Sequence, residues 1–183
     1  MTPLGHVSIS YLAGKTSKNI SLPAIILGGL LPDIDYVFIL APWFNQIHRL
    51  VTHNLLFVSL VALVSFSVTA KDCKKMIFLS LLLGGVLHLF VDACMDANPS
   101  NGIGVALLWP IDRNYFFSPF NLLEPNKNGV DWTEPIEYLK FSILAALWEI
   151  PLYIISAVIL LKKKNHPAFA SDPVQSSKQR GTR

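Results

Sequence analysis

Three long apolar runs, over residues 54–70, 76–91 and 141–161, restrict what this chain can become. A helix of about 20 apolar residues matches the roughly 30 Å hydrocarbon core of a bilayer. In that solvent a helix satisfies all its backbone hydrogen bonds within the segment. The third run, 21 residues long, reaches that length. The first two are shorter, and must thin the bilayer or lie against other helices. The shortage of charge agrees with a lipid environment. Of 183 residues, 52% are hydrophobic and 15% charged, and the mean hydropathy is +0.46; a soluble domain carries about 25% charged residues. The expected fold class is all-α: an integral membrane helical bundle with short N-terminal helices and about three longer apolar helices.

Local signals divide the chain further. No basic leader followed by a small-residue cleavage site opens it, so the apolar segments are expected to be retained. A short helix over residues 3–13 leads through the polar turn "GKTSKN" to a second helix from about Ser21, with Pro23 in its first turn, to about Leu31. Pro32 disfavours helical geometry at Leu31, which predicts a break. Residues 1–164 read as one membrane-embedded domain, in which 93–140 form a long non-cytoplasmic connection. Residues 165–183 read as a disordered basic cytoplasmic tail. Cys73 and Cys94 flank the fourth helix, a poor placement for a disulfide. The net charge of +3 is modest, and lysines abut apolar runs, which favours membrane orientation over nucleic-acid binding.

The basic residues orient the helices. Lys15 and Lys18, then Lys71, Lys74 and Lys75, then Lys162, Lys163 and Lys164 follow successive runs. With the tail, 11 of the 15 Lys and Arg share one side, which the positive-inside rule makes cytoplasmic. The protein is therefore expected in the inner or plasma membrane, multi-pass, with a cytoplasmic C-terminus.

That alternation exposes a second pattern. His6, Asp33, Asp35, His48, His53, His88 and Asp92 all fall at the ends away from the lysines. "HLFVD" sets His88 and Asp92 at i and i+4, able to reach one ion, although a hydrogen-bonding pair between helices has the same spacing. "HRLVTH" separates His48 and His53 by five, suiting one ligand in a loop and another at a helix start; interfacial histidines are the plain alternative. "PDID" puts Asp33 and Asp35 on one side of an extended backbone, or makes only a turn. An isolated His6 is weak evidence. Together they are harder to dismiss, because ionisable groups in apolar segments are costly and mark function. Seven nitrogen and oxygen donors without thiolate suit Zn, Mn or Fe, and seven exceed one tetrahedral ion, so two or more divalent metals, zinc foremost, are expected.

His6, "GGLLPDID" (28–35), "HRLVTH" (48–53), "HLFVD" (88–92) and "LWP" (108–110) together resemble the membrane-bound, LexA-regulated metal-dependent hydrolases, the YdjM-like family. That family is thought to be distantly similar to zinc-dependent phospholipase C and the S1/P1 nucleases. The resemblance implies a hydrolase acting on phosphoester bonds, and carries those seven residues as metal ligands.

Other polar residues have two readings each. Arg49 suits either an anionic substrate oxygen or the headgroups. Glu149, inside the last run, suits either a partner behind the ligands or a protonated carboxyl. The expected activity is metal-assisted hydrolysis of a phosphoester in a lipid or membrane-proximal substrate, with Asp35 or Asp92 doubling as base. The bilayer is the expected partner, with no nucleic acid. A metal-ion transporter or channel would need ligands along the whole path, whereas the lysine-side halves "VSFSVTA" and "MIFLSLLL" offer only small hydroxyls. A non-catalytic, metal-stabilised membrane protein is the third reading.

Overall fold

The structure, a computed structural model, describes residues 1–95, 104–114, 116–119, 136, 140, 143 and 146–164. The tail 165–183 and much of the connection 93–140 lie outside the described residues, as does most of the third apolar run before residue 146. Helices α1 (Pro3–Gly14) and α2 (Leu22–Leu30) are followed by a 3₁₀ helix (Leu31–Phe38) and one short turn, α3 (Phe44–Ile47). Then come α4 (Leu55–Val68), α5 (Lys74–Met95) and α6 (Ile150–Lys164). No strand forms among the described residues; one isolated bridge pairs Val105 with Phe117.

Sequence chemistry sets several of these ends. Thr2 caps α1, its hydroxyl accepting from the Gly5 amide, with Pro3 in the first turn, where its missing N–H costs nothing. Asn54 caps α4, its Oδ1 accepting from the Phe57 amide at 2.8 Å. Its amide group also donates to the carbonyls of Leu50 and Val51, at 2.7 and 2.9 Å. One side chain thus closes a loop and starts a helix; such a cap is worth about 1 kcal/mol.

The helix directions follow from paired contacts. Gly14 lies beside Leu22 and Ile25, and Gly29 beside Ser10, so α1 and α2 are antiparallel. The Ser21 amide donates to Ser80 Oγ at 2.9 Å, while Gly29 meets His88 one end later, so α2 and α5 run parallel. Gly28 and Gly84 permit their close crossing: a Cβ at either would strike a carbonyl oxygen of the other helix, Leu81 or Ile25. Small residues serve this purpose between membrane helices. Phe66 packs on Phe78 at 5.7 Å, and Val58 on Gly85, making α4 antiparallel to α5. Tyr153 contacts Thr2, and Ser156 Oγ reaches the Ser8 carbonyl, so α6 runs beside α1 in the same direction. Lys15, Lys74 and Lys162 therefore end up together, away from the histidines.

Among the described residues, only α5, with 22 residues, is long and apolar enough to cross a membrane. At 1.5 Å per residue it measures about 33 Å. Three longer apolar helices follow the short N-terminal ones as expected, but α4 is shorter than its apolar run, and most of the third run before residue 146 lies outside the described residues. The Asn54 cap delays α4 to Leu55, and Thr69 turns extended after Val68. The resulting 14 residues span about 21 Å. Helix α6 has 15 described residues, about 22 Å.

Candidate metal centre

Pro32 shapes the first wall of the site. The α-helical path of α2 ends at Leu30 and continues as 3₁₀ through Leu31–Phe38. The extended backbone expected for "PDID" is therefore not what forms. At three residues per turn, side chains two apart diverge by about 120°. Asp33 and Asp35, both buried, accordingly face different partners.

Asp33 joins His53, His88 and Asp92, and Asp35 joins His48 and His53. Within each group the donor atoms lie within 4.8 Å of one another, and all these residues are buried. In the first group, His53 Nε2 is 3.4 Å from Asp33 Oδ1 and 3.5 Å from Asp92 Oδ2. His88 Nε2 is 3.4 Å from Asp92 Oδ2 and 3.7 Å from Asp33 Oδ1. The i, i+4 spacing in α5 brings its two residues together as the sequence predicts. In the second group, His48 Nδ1 lies 3.0 Å from Asp35 Oδ2. His6 belongs to neither group, but its Nε2 is 3.1 Å from Asp92 Oδ1 and its ring stacks on His88 at 3.6 Å. The α-amino group of Met1 donates to the same Asp92 oxygen at 2.8 Å.

Supporting groups select which ring nitrogen faces inward. The Gly29 carbonyl accepts from His88 Nδ1 at 2.7 Å, which leaves the Nε2 lone pair for the cluster. Thr52 donates to Asp35 Oδ2 at 3.2 Å. Its oxygen is then free to accept from His53 Nδ1, 3.1 Å away, with the same result for that ring. Thr52 and Gly29 escaped the sequence reading. A hydroxyl inside "HRLVTH" is a readable signal, but a backbone carbonyl leaves none.

The donor set fits a divalent cation. Asp33 Oδ2, Asp35 Oδ1, His53 Nε2 and His88 Nε2 are buried without a hydrogen bond, whereas buried polar atoms ordinarily have partners. The electrostatics carry the same tension. The carboxylates of Asp33 and Asp92 face the rings of His53 and His88 at 3.4 to 3.7 Å, a concentration of negative charge and lone pairs that a cation would relieve.

Arg49, next to His48 in the chain, is buried and adopts φ of 71°, in the left-handed region. The Ala106 amide donates to its carbonyl at 3.4 Å. Glu149 is 1% exposed and reaches none of the ligands directly. It accepts from the Thr2 amide at 2.7 Å, the Thr2 hydroxyl at 2.5 Å and Tyr153 at 2.5 Å. It pins the start of α1, the helix that carries His6. Gly5 leaves room for it, since a Cβ there would strike its carboxylate.

The profile of a family described as YdjM inner membrane protein matches residues 1–166. No curated protein and no solved structure matches the chain.

Proposed function

The chain belongs to the YdjM inner membrane protein family, and on that premise we propose that it is a membrane-bound metal-dependent hydrolase of phosphoester bonds. The observation that carries the reading is the set of buried, hydrogen-bond-free donor atoms of Asp33, Asp35, His53 and His88, gathered at one end of the helices. Asp33, His53, His88 and Asp92 would hold one ion, and Asp35 with His48 would contribute to a second; His6 steadies Asp92 and His88. Zinc suits these donors best, with manganese and iron next. Bound ions would supply Lewis acidity for water and neutralise charge on a phosphoryl group.

The chain's own part is acid–base chemistry and positioning. In hydrolysis the water oxygen bonds to phosphorus, the ester oxygen leaves with a proton, and one water proton must be accepted. Asp35 would be the better base if the ion is held through its other oxygen, which leaves Oδ1 to accept the proton. Asp92 is held by Met1 and His6 and contacts His88. Arg49 adds a fixed positive charge for phosphoryl oxygens. A transporter is disfavoured by the opposite ends of the helices, where Ser65 and Ser67 bond back to their own helix carbonyls.

Detergent-purified protein should contain close to stoichiometric divalent metal by elemental analysis. It should turn over a member of a phosphoester panel and lose that activity to chelator. Metal-dependent flux in vesicles, with no ester consumed, would reverse the assignment.

A further inference from the structure

The ligand-bearing elements have two opposite faces. The 3₁₀ helix turns Asp33 and Asp35 inward and Ile34, Val37 and Phe38 outward, with 54, 76 and 51% of their surface exposed. The exposed rim continues through Leu40, at 77%, to Trp43, whose ring meets Phe38 at 5.4 Å. From residue 34 to 43 the only charged residue is Asp35, and it is buried. Helix α5 repeats the division. His88 and Asp92 point inward, while Leu79, Leu83, Val86 and Phe90 form an exposed apolar stripe. Exposed apolar positions thus flank His88 on both sides along the helix axis.

Depth follows from the same helix. With Lys75 at one hydrocarbon boundary, His88 lies about 20 Å and Asp92 about 26 Å along α5, in a core roughly 30 Å thick. On that placement His88 and Asp92 lie about 10 and 4 Å inside the opposite boundary, on a helix whose outer face is apolar. A contiguous apolar rim of this kind is a burden in water and is at home in lipid. Trp43 stands where an aromatic belt would place it.

We propose that the metal end of the molecule is immersed, that the rim from Ile34 to Trp43 contacts lipid, and that the substrate is an amphiphile. It would arrive from within the leaflet, with its phosphoester at the hydrocarbon boundary. The substrate half rests on the hydrolytic reading; the immersed rim does not.

The test uses full-length protein in phosphatidylglycerol–phosphatidylcholine vesicles, with Trp109, Trp132 and Trp148 replaced by Phe so that Trp43 alone reports. Lipids with nitroxide at acyl carbon 5 should quench Trp43 several-fold more than lipids labelled at carbon 12, and aqueous iodide should quench it little. Dominant iodide quenching overturns the proposal, as does protection from every quencher, which would mean that another copy covers the rim. Metal content serves as the check on folding. In parallel, the metal-loaded protein should hydrolyse a long-chain phosphoester in vesicles at least tenfold faster than p-nitrophenyl phosphate. Equal rates would sink the amphiphile assignment and spare the hydrolase. Trp43 in lipid with neither ester consumed would sink the hydrolase and leave the rim in place.

Discussion

Asp33 and Asp35 are the residues on which the centre depends most directly, and the 3₁₀ path after Pro32 gives them separate duties. Asp33→Asn and Asp35→Asn are nearly isosteric, keep a carbonyl oxygen and remove the charge that offsets a cation. Each should weaken metal binding tenfold or more, since changes behind the ligands alone cost 10- to 100-fold. Because metal bound only to the native state stabilises it, the rise in Tm on adding metal should shrink in both variants. Unchanged metal content and an unchanged rise would reduce the two carboxylates to a turn. This part of the site was legible in the sequence, because carboxylates and imidazoles in greasy runs demand an explanation. Their division into two groups was not, since it depends on 3₁₀ rather than extended geometry. The position of Glu149 was half legible: its burial was foreseeable, but not that Thr2 would be its partner.

At the scale of elements, the α2–α5 crossing decides whether ligands from separate helices meet. Gly84→Leu would push a side chain into the Ile25 carbonyl. Overpacking of this kind typically costs 1–3 kcal/mol. It should also separate Asp33 from His88, so metal content is expected to fall together with thermal stability in micelles. Leu83→Ala, one residue away on the exposed side, should change neither appreciably. Equal behaviour of the two variants would show that the crossing does not hold the site. Helix order and direction were readable from hydropathy and lysine turns. Helix length was not, because a cap such as Asn54 trims an apolar run without altering its composition.

For the whole molecule, the segregation of Lys15, Lys74 and Lys162 from the seven acidic and imidazole side chains predicts a sidedness. Cys73, beside the lysines, should be protected from an impermeant thiol reagent on intact spheroplasts and react after lysis. Cys94 cannot report the other face, because it is buried in α5. Asn114→Cys, in an exposed turn near the site end, should react without lysis. Labelling of Cys73 alone before lysis would invert the topology. Composition made a membrane protein legible, and the family match bears that out.

The parallel run of α2 and α5 has a consequence for biogenesis. Two parallel helices cannot be joined by a tight turn, so the chain travels out through the "HRLVTH" loop and back along α4 before α5 can dock. Asp33, His53, and the pair His88 and Asp92 therefore come from three segments that meet only when the last has been inserted, and closing such long loops is slow. No nascent fragment holds the full donor set. A metal ion that needs the full set would be captured at the end of assembly, as a lock on a bundle already formed rather than as the seed around which it condenses.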